Sequence, residues 1–184
     1  MTTTLHITTA DQLLRHASEL GPCELFAGQL IHKKFAGFDQ GCIGSTIASA
    51  MYLHAKHHRL GVVTSADTGF LLRKNPDTVL APDTAFVARA RIPAHGIRGY
   101  FPGPPDLAVE VRSPRDTIEK ARKKAKLWIE SGCRLAWLID PEPKAAYVFR
   151  PGAAKPLVLK GDVALDGEEV LPGFKLALGD VFEC

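Results

Sequence analysis

The chain has 184 residues, of which 46% are hydrophobic and 23% charged, with a formal net charge of +3. This length and composition predict one globular domain over residues 1–184 and argue against a disordered or fibrous protein. The small positive charge permits a polyanionic partner without requiring one. Because no secretory leader or membrane-spanning apolar run is present, we expect a cytoplasmic protein without a membrane partner.

The first third of the sequence predicts a helix, a hairpin and a longer helix. Thr8 or Thr9 can cap the first helix, and Gly21-Pro22 ends it. The alternating segment CELFAGQLIHK is interrupted by Gly28 and predicts a small β-hairpin. An apolar stripe at helical spacing then predicts a long helix from Asp39 to Leu60.

The remaining chain predicts a mixed sheet flanked by helices, which is an α/β fold. Strand-like segments from Val62 to Val87 are followed by a long Gly- and Pro-rich loop, Arg89–Pro105. The segment from Leu107 to Ile139 reads as strand, helix, strand, and predicts a parallel crossover. Short strands and turns make up the tail.

Ser113 and Pro114 predict the start of the crossover helix, and Asp116 with Glu119 offers a second register. On a helical wheel, Lys124 lies at the edge of the apolar face next to Trp128. Lys123 points away from that face. The lysine at 124 can therefore reach the sheet, whereas its neighbour is solvated.

Two carboxylates, Asp106 and Glu110, share one face of the strand before this helix. Acids on a strand that should be buried need compensation, and a divalent cation supplies it. Oxygen ligands favour Mg²⁺ or Mn²⁺. Asp83 is a third candidate ligand if its strand is a neighbour. Spacing supports equally an alternative in which both acids pair with Arg112 and nearby lysines on a half-exposed sheet.

The order of several short motifs resembles the Uma-type "putative restriction endonuclease" family of the PD-(D/E)XK nuclease superfamily. The motifs are a Pro-Asp strand, a second Pro-Asp strand with E-V-x-S-P, a helix with a lysine, and W-x-x-D-P. In this chain they are Pro82-Asp83, Pro105-Asp106, Glu110 to Pro114, Lys124, and Trp137 to Pro141. CELFAGQL near the start and LPGFKLAL near the end extend the resemblance over most of the chain.

This resemblance implies a restriction-endonuclease-like core and Mg²⁺-dependent hydrolysis of phosphodiester bonds, with DNA as the expected partner. By position, Asp83 is the motif aspartate and Glu110 the acid of the E-x-K element. Arg112 replaces the lysine of that element, and arginine does not substitute readily for it. The lysine is displaced onto the following helix, which makes Lys124 the candidate.

The resemblance also bears on two other acids. Asp106 is implied as an additional catalytic and metal-binding carboxylate, and Glu24 as a weaker one. A homodimer is expected, since nucleases that cut both strands often place two sites symmetrically.

Basic residues near the proposed site predict contacts to a phosphate backbone. The run Arg112–Lys126 holds seven Lys and Arg against two acids, and Arg115, Lys120 and Lys123 are its candidates. In the long loop, the candidates are Arg91 and Arg98, together with two aromatic residues, Tyr100 and Phe101. The alternatives are a solvated helix face and a packed loop.

The sequence is also compatible with two other functions. The chain could be a catalytically inactive nuclease-fold module that binds nucleic acid or a protein, or a phosphodiesterase for a small substrate. The position of Lys124 relative to the carboxylates distinguishes an enzyme from an inactive module. His54, His57 and His58 have helical spacing that suits zinc, but no companion ligand is evident in the sequence.

Overall fold

The computed structural model describes residues 6–183. Within them the helices are α1 Ala10–Arg15, α2 Ala17–Leu20, α3 Phe38–His57, α4 Ile118–Glu130 and α5 Leu178–Val181. The strands are β1 Cys23–Phe26, β2 Gln29–His32, β3 Gly61–Ser65, β4 Phe70–Arg73, β5 Thr78–Leu80, β6 Thr84–Ala88, β7 Phe101–Pro102, β8 Leu107–Val111, β9 Leu135–Asp140, β10 Ala145–Phe149, β11 Leu157–Lys160, β12 Ala164–Asp166 and β13 Lys175–Ala177.

The central sheet has six strands in the order β11-β10-β9-β8-β6-β3. β8 and β9 are parallel and are joined through α4, as predicted for the crossover unit. β6 pairs with β8 in the antiparallel direction, with Thr84 opposite Val109. The mixed α/β sheet flanked by helices is therefore confirmed.

Helices cover both faces of this sheet because the side chains of β8 alternate between two cores. Leu107, Val109 and Val111 pack with the buried residues of α3, whereas Ala108 packs with Ala125 and Trp128 of α4. All five β8 residues are buried. A polar side chain on β8 is thus held in a desolvated environment.

A second sheet of five strands, in the order β2-β1-β5-β4-β7, was not anticipated as a separate layer. The predicted hairpin is confirmed as β1 and β2, joined by Ala27 and Gly28 at positive φ. Phe70 and Leu80 of this sheet pack in the same cluster as Trp128. The small sheet therefore lies on the α4 side of the central sheet.

Neither predicted start of α4, at Ser113 or at Asp116, is the observed one. The helix begins at Ile118, and its N-cap is Thr117, whose hydroxyl accepts a hydrogen bond from the Lys120 amide at 3.2 Å. Ser113 lies in the connection before the helix, where its hydroxyl accepts from the Arg115 amide. Asp116, the cap of the second predicted register, lies one residue before the observed cap, and Ser, Asp and Thr are all good N-caps.

Candidate active site

Glu110 lies near the end of β8, on the face that α4 covers. Its exposed fraction is 7%. The Nε1–H of Trp128 donates a hydrogen bond to Glu110 Oε1 over 2.8 Å. Trp128 is fully buried and packs edge-on against Phe70. The indole therefore fixes one oxygen of the carboxylate in a rigid environment.

Lys124 is one helical turn before Trp128, so both side chains reach the same side of the sheet. Its Nζ lies 3.1 Å from Glu110 Oε1 and 3.0 Å from Glu24 Oε1. It also donates to the Ala81 carbonyl at 3.4 Å. The helix thus places a cation between carboxylates from two different sheets.

Glu24 comes from β1 of the small sheet and is 8% exposed. Its Oε1 accepts hydrogen bonds from Lys124 Nζ and from the amide of Ala81 at 3.0 Å. Ala81 lies in the connection between β5 and β6. Glu24 therefore ties the small sheet to the lysine and to the chain that leads into Asp83.

Asp83 lies immediately before β6, beside β8. Its amide donates to the Val109 carbonyl at 3.0 Å, and its Oδ2 accepts from the Val111 amide at 2.7 Å. Asp83 therefore contacts the backbone on either side of Glu110, through its amide on one side and its carboxylate on the other. The structure brings Asp83, Glu110, Lys124 and Glu24 together.

The charges in this cluster affect one another strongly. Burial raises the pKa of Glu110 to about 7; the Lys124 ammonium opposes this rise, whereas the Asp83 and Glu24 carboxylates add to it. Burial alone would lower the pKa of Lys124, but Glu110 and Glu24 outweigh burial and raise it. Lys124 is therefore a charged donor at neutral pH and not a proton acceptor.

The donor set fits a hard divalent cation. Within residues 6–183, Glu24 Oε2, Asp83 Oδ1 and Glu110 Oε2 receive no hydrogen bond. No three His, Cys, Asp or Glu side chains in that range are arranged to hold a metal ion by themselves. Mg²⁺ does not need such a cage, because it retains several waters and binds through one or two carboxylates. Asp83 and Glu110 are the two carboxylates that would hold such an ion.

Asp106 is not part of this cluster, although the alternation of side chains puts it on the same face as Glu110. It precedes β8, and four residues along a strand span about 13 Å. Its Oδ2 accepts from the Ala88 amide at 2.8 Å and lies 3.1 Å from Arg91 Nη1. The structure does not bring Asp106 to Asp83 and Glu110, as the prediction of a shared metal site requires; this carboxylate anchors the chain that follows β6.

Arg112 does not take the lysine role either. Its Nε lies 2.6 Å from Asp140 Oδ1, and its Nη2 lies 2.5 Å from Glu142 Oε2. The guanidinium also donates to the Asp116 carbonyl at 3.1 Å. Arg112 therefore joins the ends of β8 and β9 to the start of the α4 region, and Lys124 is the lysine at the carboxylates.

The predicted nucleic-acid residues fall into two groups. Arg91 is bound to Asp106 and to the Pro104 carbonyl, which makes it structural. Lys120 pairs with Asp116 on the exposed side of α4. The side chains of Arg98, Arg115 and Lys123 are exposed, and nothing within residues 6–183 engages them.

The aromatic residues of the long loop are packed into the small sheet. Phe101 contacts Phe70, and Tyr100 lies against Gly69. His54 donates from Nε2 to the Pro172 carbonyl, and its ring packs on His58. The loop aromatics and the histidines therefore act in packing.

Two site residues were missed from the sequence. From the sequence, Trp128 is only a residue of the apolar face of α4, although its spacing from Lys124 already puts both side chains on one side of the helix. Gln40, in the first turn of α3, donates to the Val111 carbonyl at 3.2 Å. Nothing in the local sequence signals this contact, because it joins residues that are far apart in the chain.

A family model described as "Putative restriction endonuclease", the Uma2 family, matches residues 10–179. The crystal structure of a putative nuclease of the DUF820 group from Anabaena variabilis superimposes with a TM-score of 0.77 and 24% sequence identity. The match covers 87% of this chain and 89% of that one. No curated protein matches the chain.

These observations first define a class: a mixed α/β fold of the nuclease type, with a buried carboxylate–lysine cluster on its central sheet. Within that class, the chain belongs to the Uma2 family, whose model spans nearly all of it. The resemblance expected from the motif order is confirmed. Among residues 6–183, no helix is long and apolar enough to cross a membrane.

Proposed function

We propose that this protein is an endonuclease that hydrolyses DNA phosphodiester bonds with Mg²⁺ or Mn²⁺. The observation that carries the proposal is the position of Lys124 Nζ, 3.1 Å from Glu110 Oε1. Restriction-endonuclease-like proteins generally use divalent metals. The unbonded carboxylate oxygens of Asp83 and Glu110 supply a donor set that suits such an ion.

Each residue has a distinct role in this proposal. Asp83 and Glu110 would hold the ion, which activates water and neutralises charge on the phosphate when bound. Lys124 donates hydrogen bonds to the attacking water or to the negative charge that develops on the phosphoryl oxygens. Trp128 orients Glu110, and Glu24 holds Lys124 in place. Exposed basic residues such as Arg115 and Lys123 provide a path for the phosphate backbone.

The position of the lysine also weighs against an inactive module. The Lys124 side chain is 30% exposed and contacts the carboxylates of Glu24 and Glu110, which is the position that the enzyme requires of it. A lysine in solvent would have favoured the binding module. The homodimer and the cytoplasmic location remain predictions.

The direct test is cleavage of supercoiled plasmid and of single-stranded DNA with Mg²⁺, Mn²⁺ or EDTA. The proposal predicts metal-dependent nicking by the wild-type protein and none by Glu110→Ala. Activity that survives Glu110→Ala or EDTA would contradict the assignment. Salt-sensitive DNA binding without cleavage would identify an inactive module instead.

A further inference from the structure

The segment from residue 33 to residue 38, Lys-Lys-Phe-Ala-Gly-Phe, connects β2 to α3 and carries two strongly exposed aromatic side chains. Phe35 is 94% exposed and Phe38 is 85% exposed. Residues 33–37 belong to neither a helix nor a strand. Single apolar residues on a surface are common, but two almost fully exposed phenylalanines three residues apart indicate a binding surface.

The 33–38 segment is tethered at both ends to elements that contact the strands of the candidate active site. On one side, β2 pairs with β1, where Ile31 lies opposite Glu24. On the other side, Gln40 contacts the Val111 carbonyl, one residue after Glu110. Phe38 is two residues from Gln40, about 3 Å along the helix axis.

The charges of the 33–38 segment are compatible with a polyanion. Lys34 is exposed and has no acidic partner within residues 6–183. Lys33 pairs with Asp67 at 3.1 Å, and Asp39 follows the segment. Phenylalanine rings stack on the faces of bases, and an adjacent lysine neutralises phosphate, which together form the pattern of single-strand binding.

We propose that the 33–38 segment binds an unpaired stretch of nucleic acid, with a base stacked on Phe35 or Phe38 and Lys34 at a phosphate. The inference rests on the proposed function, since it assumes a nucleic-acid substrate at the adjacent site. Bases inside a duplex are already stacked on both faces, so the segment selects a single strand, a frayed end or a bulge. The inference therefore specifies that the substrate contains unpaired nucleotides.

The test measures binding without cleavage. A fluorescein-labelled 20-nucleotide oligothymidylate is titrated in EDTA and followed by anisotropy, with Phe35→Ala, Phe38→Ala and the double variant compared with the wild type. Because stacking on one aromatic ring is worth about ten-fold in affinity or more, the double variant should bind at least about ten-fold more weakly. The matched control is Leu157→Ala, an exposed apolar residue on β11, which should bind like the wild type.

Two further readouts separate stacking from general surface effects. The fluorescence of a 2-aminopurine oligonucleotide should be quenched by the wild type and by the double variant Phe35→Trp/Phe38→Trp. The double alanine variant should not quench it. Lys34→Gln should reduce the slope of log affinity against log salt by about 0.7, the value for one phosphate contact on a single strand.

The outcomes distinguish this inference from the proposed function. If the wild type cleaves DNA but neither alanine substitution changes oligonucleotide binding, the inference is overturned. The proposed nuclease function is then unaffected. Phenylalanine-dependent binding without any cleavage would support the inference and contradict the enzyme. Conversion of a dimer to a monomer by the double variant, with unchanged DNA binding, would show that a second copy of the chain covers this surface and would overturn the inference.

Discussion

Lys124 Nζ and Glu110 Oε1 lie 3.1 Å apart, although the lysine belongs to α4 and the glutamate to β8. The contact exists because α4 packs on β8 with Lys124 and Trp128 on the same helix face. It replaces the E-x-K arrangement, in which the lysine would stand where Arg112 is found. In the proposed site, the glutamate and the lysine are therefore brought together between a strand and a helix and not along one strand.

The pKa of Glu110 predicts how the metal-free protein responds to pH. Because the folded chain raises this pKa from 4.5 to about 7, it binds the Glu110 proton more tightly than the unfolded chain does. The associated stability is present below pH 4.5 and is lost as the pH rises through about 7. In EDTA, the melting temperature of the wild type should therefore fall relative to that of Glu110→Gln as the pH rises from 5 to 8.

Parallel unfolding curves for the two proteins at pH 5, 6, 7 and 8 check this prediction. A constant difference in melting temperature over that range would show that Glu110 titrates at its ordinary value. The carboxylate would then be less desolvated than the structure indicates.

The hydrogen bond from Trp128 to Glu110 should contribute measurably to stability. Trp128→Phe keeps most of the apolar volume but leaves the carboxylate without its indole donor. Since hydrogen bonds to charged groups are worth about 1.5–3 kcal/mol, the free energy of unfolding in urea at pH 8 should fall by that amount beyond the cost of lost volume.

Trp137 is the matched control for this substitution. It is equally buried, and its Nε1 has no hydrogen-bond partner within residues 6–183. Trp137→Phe removes a similar volume and, because it also removes an unpaired buried N–H, should cost less than Trp128→Phe. Equal costs for the two substitutions would show that the bond between Trp128 and Glu110 contributes nothing.

Asp106 should affect stability and not catalysis. Asp106→Asn keeps an acceptor for the Ala88 amide but removes the charge that faces Arg91. We expect a loss of about 1–3 kcal/mol in the free energy of unfolding, with cleavage by the folded protein close to wild type. Loss of cleavage with unchanged stability would return Asp106 to the list of metal ligands.

The sequence predicted what depends on short-range patterns. Alternation along β8, the apolar face of α4 and the turn after β1 placed Glu110, Lys124 and the hairpin correctly. Asp106 was predicted to join Glu110 because side-chain alternation indicates which face of a strand a residue is on. Alternation does not indicate how far apart two residues lie along the strand. The partners of Arg112 and the contact of Gln40 could not be predicted, since they depend on how β9 and α3 pack against β8.

Glu24 also shows that local sequence patterns do not predict contacts between layers. It was only a weak candidate, because nothing in CELF tells which face of a hairpin is buried. The packing of the small sheet against α4 brings Glu24 to Lys124, and that packing arises from contacts such as Phe70 with Trp128. Long-range layer packing of this kind is not encoded in local periodicity.

The most direct test of the account compares plasmid cleavage by Lys124→Met and Lys123→Met in Mg²⁺. The two substitutions remove the same charge from adjacent positions and retain an aliphatic stem, but only Lys124 reaches Glu110. Removing one such donor typically costs about 10²–10³ in rate. We predict that loss for Lys124→Met, at most a few-fold loss for Lys123→Met because it removes one exposed phosphate contact, and folded circular-dichroism spectra for both. Full activity in folded Lys124→Met would contradict the assignment of the catalytic lysine.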